Sequence, residues 1–310
     1  EYQGDVDYSD VYVPDGRLDH YTVLTNKKGL LDFYTASNSS GSNCYYLFDE
    51  LLLLENALTT YALNFARSKG FSISSTPSFA KLSLITACGY RPTQREMDSQ
   101  IYTLKDTDQA LIATSEITLA GYEMNKVLSK NDLPIKRCAV SRAFRKEAEA
   151  QGSGVRGLYR VHEFNKVELF VWTLPEKSDE TLESLKDLQV ELIKSLGLTA
   201  QVLQMPNNDL GAPAYKKYDI ECWMPGRGSF GEITSTSNCT DFQSRRLLTR
   251  YRDYTDDGSR TCYEFVHTLN GTCMALPRVL LAIVENYYNS ENKKVTVPDV
   301  WGQLMGMKEF

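Results

Sequence analysis

Apolar residues recur at helical spacing over residues 47–69, where Leu51, Leu54, Leu58, Ala62 and Phe65 fall on one side, Asp49 and Glu50 stand near the start and Gly70 follows. This spacing predicts an amphipathic helix closed by the glycine. Residues 178–196 repeat the pattern, with Leu182, Leu185, Leu188, Leu192 and Leu196 inward and Gly197 as the stop, and read as scaffold. Residues 116–127 predict a helix capped by Thr114 or Ser115, and a carboxylate at its first turn, Glu116, sits where the helix dipole favours negative charge. Residues 277–288 predict a helix opened by Pro277. Arg278 in its first turn is a cation where the dipole disfavours one, and a ligand phosphate is a sensible reason for it.

Elsewhere the pattern turns to strands, at 158–172, 215–224, 230–235 and 266–273, with Pro225 to Gly228 as a turn between the middle two. Strand-rich blocks interrupted by helices without regular βαβ spacing predict an α+β fold, a largely antiparallel β-sheet flanked by helices. The acidic, Tyr-rich, aperiodic segment 1–20 reads as a linker or edge extension, and residues 21–310 as one large domain.

Composition narrows the function classes. A chain of 310 residues that is 42% hydrophobic can bury a large core, and its longest apolar runs, 51–54 and 279–284, are far too short for a bilayer, so no membrane partner is expected. Seven cysteines without a C-x-x-C pair, beside His20, His162 and His267, form neither a disulfide framework nor an obvious zinc site, and buried thiols in a reducing compartment fit best. A net charge of −6 excludes a protein that coats nucleic acid by charge alone. Any such contact must use local clusters: Arg142, Arg145 and Lys146; Arg156 and Arg160; or Arg245, Arg246, Arg250 and Arg252, the last of which reads equally well as a solvated helix face.

Residues 141–172, SRAFRKEAEAQGSGVRGLYRVHEFNKVELFVW, carry the most chemistry. If 158–172 is extended, alternation puts Arg160, Phe164 and Glu168 on one face; Arg145 and Glu147 pair in the same way, and residues 148–156 can cross between antiparallel strands. Guanidinium groups fork onto phosphate oxygens, an aromatic plate stacks on a purine, and a carboxylate accepts from a hydroxyl or an amine. Taken singly, Arg160 and Glu168 would be surface strand charges; their shared parity argues for a nucleoside triphosphate site without a Walker loop.

The run FRKEAEAQGSGVRGLYRVHEFNKVELF resembles motif 2 of the class II aminoacyl-tRNA synthetases, in the form specific to the seryl-tRNA synthetase family. Thr114-Ser115-Glu116 is similar to that family's Thr-x-Glu element, GSFGEITSTSNC at 228–239 to its metal-binding strand, and LNGTCMALPRVLLAIVEN at 269–286 to its motif 3, all in family order. The resemblance implies a two-step reaction in which serine and ATP give seryl-adenylate and pyrophosphate, and the seryl group then passes to tRNA(Ser). It further implies that Arg145 contacts the α-phosphate, Arg160 and Arg278 the outer phosphates and the adenine face, Phe164 the adenine ring and Glu147 its edge. Thr114, Glu116, Glu168, Asn270 and Thr272 would hold serine, and Glu232 and Ser235 a Mg2+ ion, which suits hard oxygen ligands. Glu232 and Ser235, three apart, lie on opposite faces of a regular strand, so a bulge is expected between them.

A homodimer through the helix at 47–69 and the strand near Pro77 is also implied; an ordinary core helix would have the same pattern. The stretches VELFVWT and 218–246 look closest to organellar, fungal mitochondrial members, which points to the mitochondrial matrix, with the cytoplasm as the alternative. Two departures stand out. Cys273 and Pro277 occupy positions where family members often have Gly, and nothing in the chain supplies the family's N-terminal coiled-coil arm for tRNA. Two other functions share the fold: an amino acid:carrier-protein ligase, which should replace the serine pocket by a Cys/Glu/Cys arrangement, and an inactive dimeric RNA-binding paralogue, which should have lost phosphate-binding arginines. Arg145, Arg160 and Arg278 are all present.

Overall fold

The computed structural model describes residues 19–91, 100–147, 157–254 and 261–310. Most of the expected segment 1–20 therefore lies outside the described residues, as do the crossing loop 148–156 and Arg156. Asp19 and His20 do not behave as a linker: His20 is buried in the packed structure.

The centre is a seven-stranded sheet. Its strands in chain order are β1 (Ser72–Ser75), β2 (Ile135–Phe144), β3 (Glu163–Thr173), β4 (Ala200–Gln204), β5 (Lys216–Met224), β6 (Ser229–Asn238) and β7 (His267–Ala275). They lie side by side as β1-β2-β3-β7-β6-β5-β4. Every pairing is antiparallel except β1 with β2, so the expected largely antiparallel α+β fold is what forms. Pro77 follows β1 instead of lying within it.

Three long helices cover one face: α1 (Asp49–Ser68), α3 (Ser178–Ser195) and α5 (Leu276–Tyr287). Their apolar stripes meet Val167, Leu169 and Val171 of β3 in the main core, which explains why the leucine spacing was so regular. Burying each such side chain is worth about 1.5–3 kcal/mol relative to exposure. The other face of β3 is divided. Phe170 and Trp172 enter a second core with Ile85, Ile112 and Ile117, whereas Phe164, Lys166 and Glu168 above them line a cavity.

Helix α2 (Glu116–Tyr122) is shorter than the expected 116–127. Asn125 takes a left-handed φ of 61° and its N–H donates to the Leu247 carbonyl at 2.8 Å, which turns the chain into a short strand, Val127–Ser129, that pairs with Arg250–Tyr254. Among the described residues, no helix is long and apolar enough to cross a membrane. All seven cysteines are free, and five of them are buried.

Two adjacent strands are bulged at the same level. In β6 the register against β5 skips Ile233, and in β7 the register against β3 skips Cys273. The first is the irregularity that Glu232 and Ser235 require to share a cavity. Behind the bulges stands Gln189 of α3, fully buried, whose side-chain amide donates to Thr234 Oγ1 (3.0 Å), the Ser235 carbonyl (2.8 Å) and the Thr272 carbonyl (2.8 Å). A Cβ at Gly271 would come within 3.0 Å of that amide, so the glycine leaves room for it. Gln189→Leu keeps the volume and removes all three donations, although the Thr272 carbonyl still accepts from the Thr234 hydroxyl; we expect a loss of about 1–3 kcal/mol in unfolding free energy, read from the denaturant midpoint.

Candidate active site

All the residues to which the resemblance gives a part in ATP, serine or Mg2+ binding line one cavity of about 380 Å³: Thr114, Glu116, Arg145, Glu147, Arg160, Phe164, Glu168, Glu232, Ser235, Asn270, Thr272 and Arg278. They arrive by different routes. Phe164 and Glu168 do so by parity on β3. Arg160 does not: the segment 158–172 is not one strand, because Gly157–Tyr159 forms a 3-10 turn and β3 begins only at Glu163. Arg145 and Glu147 likewise lie past the end of β2, and Glu147 holds a left-handed φ of 50°, backbone strain at the cavity wall.

Several of these groups are paired with one another. Arg160 Nε lies 2.5 Å from Glu147 Oε2, so the carboxylate that was assigned to a base edge orients a guanidinium. Arg278 donates through Nε to the Tyr159 carbonyl (3.1 Å) and through a terminal nitrogen to the Glu232 carbonyl (2.9 Å) and carboxylate (3.2 Å), with its guanidinium 4.5 Å from the Tyr159 ring. Arg145 is tied at its backbone to His162, donating to the His162 carbonyl at 2.8 Å, while its Nε reaches the Ala113 carbonyl at 3.4 Å and its guanidinium lies 5.4 Å from the Phe164 ring.

A second cluster is built around Glu116. The Glu116 N–H donates to Thr114 Oγ1 (3.2 Å), which settles the capping residue as Thr114, since Ser115 makes no side-chain cap. Glu116 Oε1 accepts from Gln243 Nε2 (2.7 Å) and Asn270 Nδ2 (2.9 Å), and Tyr90 Oη donates to Oε2 (3.3 Å). Thr268 donates to Gln243 Oε1 at 2.7 Å and thereby fixes which end of that amide faces Glu116. Burial, and then the charge of Glu168, push the Glu116 carboxyl up to about 7. Glu168 itself lies 2.5 Å from Lys166 Nζ in a nearly water-free pair and accepts from Thr272 Oγ1 at 3.4 Å.

Glu232 behaves oppositely. Burial alone would raise its pKa, but Arg278, and after it Lys217 and Arg145, hold the carboxyl below its ordinary value. An ionised carboxylate beside the Ser235 hydroxyl on a cavity wall is a donor set suited to a hard cation that takes its remaining oxygens from phosphates and water.

Lys166, Tyr90, Gln243 and Tyr159 belong to the site and were missed. Lys166 had a signal, since it alternates between Phe164 and Glu168; Gln243 had none, because 127 residues separate it from Glu116. Among the described residues of the basic clusters, only Arg145 and Arg160 meet in this cavity. Arg142 pairs with Glu163 at a separate cavity, and Arg245 and Arg246 lie over Phe242 on an exposed face of the short helix α4 (Phe242–Leu247). Of the two unusual positions, Pro277 lines the cavity, whereas Cys273 is buried behind the sheet near the Ala62 carbonyl.

The sequence profile of the tRNA synthetase class II core domain (G, H, P, S and T) matches residues 102–287. The mitochondrial serine–tRNA ligase of Saccharomyces cerevisiae is 52% identical over 286 residues, covering 92% of this chain and 63% of the relative. The serine–tRNA ligase of Dictyoglomus thermophilum is 43% identical over 299 residues, covering 96% of this chain and 68% of the relative. Among solved structures, seryl-tRNA synthetase from Pyrococcus horikoshii complexed with ATP aligns with a TM-score of 0.87 at 40% identity, over 94% of this chain and 63% of the other. Cytoplasmic serine–tRNA ligase from Naegleria fowleri in complex with AMP aligns at 0.86 and 35% identity, over 94% and 67%. The chain thus spans about 63% of the length of its yeast relative.

Proposed function

From the premise that the chain belongs to the class II tRNA synthetase core family, on its serine–tRNA ligase branch, we propose that it activates serine with ATP to seryl-adenylate and passes the seryl group to tRNA(Ser). The observation that carries this reading is the union, in one cavity, of a buried carboxylate cluster able to take an ammonium group with an arginine-lined wall able to take phosphates.

In the first step a serine carboxylate oxygen attacks the α-phosphorus in line, the bond to pyrophosphate breaks, and pyrophosphate leaves. Positioning and charge neutralisation are most of what such a step needs. Arg145 acts electrostatically on both Tyr90 and Glu232, the two ends of the set, which supports a role at the α-phosphate where nucleophile and nucleotide meet. Phe164 and Arg160 would sandwich the adenine, Arg278 would take outer phosphate oxygens, and Glu147 would steer Arg160. Glu232 and Ser235 would hold Mg2+, which when bound neutralises phosphate charge. Glu116 would receive the serine ammonium, with Thr114 and Asn270 around it, and the Glu168–Thr272 pair would read the hydroxyl. In the second step the terminal ribose hydroxyl of tRNA attacks the acyl carbonyl and AMP leaves.

We place residues 21–310, together with the buried His20, in one catalytic domain, which forms a homodimer through the region around α1, where Phe48, Leu52 and Leu53 are exposed apolar side chains. A mitochondrial location is supported by the identity to the yeast mitochondrial enzyme.

The test is serine-dependent exchange of pyrophosphate into ATP with Mg2+ and without tRNA, across serine, threonine, alanine, glycine and cysteine. Exchange confined to serine supports the reading; preference for glycine or alanine would instead favour carrier-protein loading, and none with any amino acid, in a protein that binds RNA, an inactive paralogue. A pocket that hydrogen-bonds the serine hydroxyl rejects alanine by roughly 10⁴-fold. Glu168→Ala is expected to lower the serine-over-alanine ratio of kcat/KM by about 10-fold or more, and an unchanged ratio would remove Glu168 from hydroxyl recognition.

A further inference from the structure

His20 lies outside the matched domain and outside the cavity, yet it is buried and makes hydrogen bonds on both ring nitrogens. Its Nδ1 lies 2.7 Å from Glu285 Oε1, and the buried Glu285 carboxylate also accepts from the His20 N–H (3.2 Å) and, through Oε2, from the Gly226 N–H (2.8 Å). A carboxylate accepts only, so the ring proton sits on Nδ1 and Nε2 keeps its lone pair. The Leu158 N–H donates to that lone pair at 3.1 Å.

The next residue, Tyr159, is what Arg278 leans on: its carbonyl takes the guanidinium Nε and its ring lies under the guanidinium. Arg278 and Glu285 are seven apart on α5, two turns along one face, so a single helix holds both ends of this connection. Gly157 supplies a separate sign of the same arrangement. Its φ is +75°, and a Cβ there would come 2.2 Å from His20 Nε2, so the close approach of the imidazole requires a glycine.

We propose that His20 is a positioning residue for nucleotide binding: supported by Glu285, it fixes the Leu158–Tyr159 backbone and through it the orientation of Arg278. This rests on the reading of Arg278 as a phosphate-binding residue. Losing the acceptor leaves a buried N–H unpaired beside the Arg278 perch, which weakens ATP binding and leaves the serine cluster around Glu116 as it was.

The experiment compares wild type with His20→Leu, His20→Gln and Gly157→Ala, using calorimetric titration with ATP alone and pyrophosphate exchange with ATP and serine varied separately. His20→Leu and Gly157→Ala should weaken ATP binding and raise KM for ATP by about 10-fold, with KM for serine changed by less than about 2-fold. His20→Gln, whose amide oxygen reaches the place of Nε2, should recover most of the ATP affinity. Equal increases in both KM values, unchanged ATP affinity in His20→Leu, or failure of His20→Gln to recover it would overturn the proposal. Should His20→Leu fail to fold, the Gly157→Ala and His20→Gln pair decides by the same split. A wild type that binds ATP but shows no serine-dependent exchange would sink the proposed function, while the ATP titrations would still report on His20.

Discussion

Arg145→Ala is expected to reduce serine-dependent pyrophosphate exchange by about 10³-fold or more, with thermal unfolding nearly unchanged. Backbone bonds to His162 fix the residue just beyond the end of β2, and neither depends on the guanidinium. The side chain's own bond to protein, Nε to the Ala113 carbonyl, is long at 3.4 Å, so its removal costs the fold little. What the guanidinium does supply is charge in a confined cavity between an ionised Glu232 and the Glu116 cluster. A developing charge on a pentavalent phosphorus placed there loses its fixed countercharge in the variant, and water in the vacated space is a poor substitute because it must reorganise. Arg145→Lys retains the charge without the planar fork and should recover only part of the rate. Exchange at the wild-type rate in Arg145→Ala, in protein with an unaltered melting temperature, would take Arg145 away from the α-phosphate.

The site was legible where one physical rule linked neighbouring residues. Period-two alternation brought Phe164 and Glu168 together, and the three-residue spacing of Glu232 and Ser235 demanded a bulge, which occurs at Ile233. The same alternation should have included Lys166, whose pairing with Glu168 sets the charge of the pocket floor. It reached Arg160 by a wrong route, since that residue enters from a turn that a regular-strand assumption cannot represent. A polar residue on an otherwise leucine-lined helix face was a usable signal for Gln189, between Leu185 and Leu192, and it marks where α3 braces both bulges. Gln243, Tyr90 and His20 carried no such mark. They meet Glu116 or Leu158 only through folding of distant segments, which local pattern does not encode.

Glu116→Gln should lower kcat/KM for serine by about 10²–10³-fold and abolish a pH dependence that the wild type shows near neutrality. Because burial and Glu168 raise the carboxyl to about 7 in the unliganded protein, the anion that receives an ammonium group is only partly populated at neutral pH. As pH falls through about 7 the carboxylate is protonated, so kcat/KM for serine drops, approaching about 10-fold per unit on the acid side, while KM for ATP stays level. The amide in Glu116→Gln is neutral at every pH and its profile should be flat over that range. A further variant separates the Glu116 limb from any other titration. In Glu168→Ala the repulsive charge is gone and Lys166 is left facing the pocket, so the limb should move to lower pH. A limb that stays in place in Glu168→Ala, or that persists in Glu116→Gln, would mean that some other group titrates and that Glu116 is not the ammonium receptor.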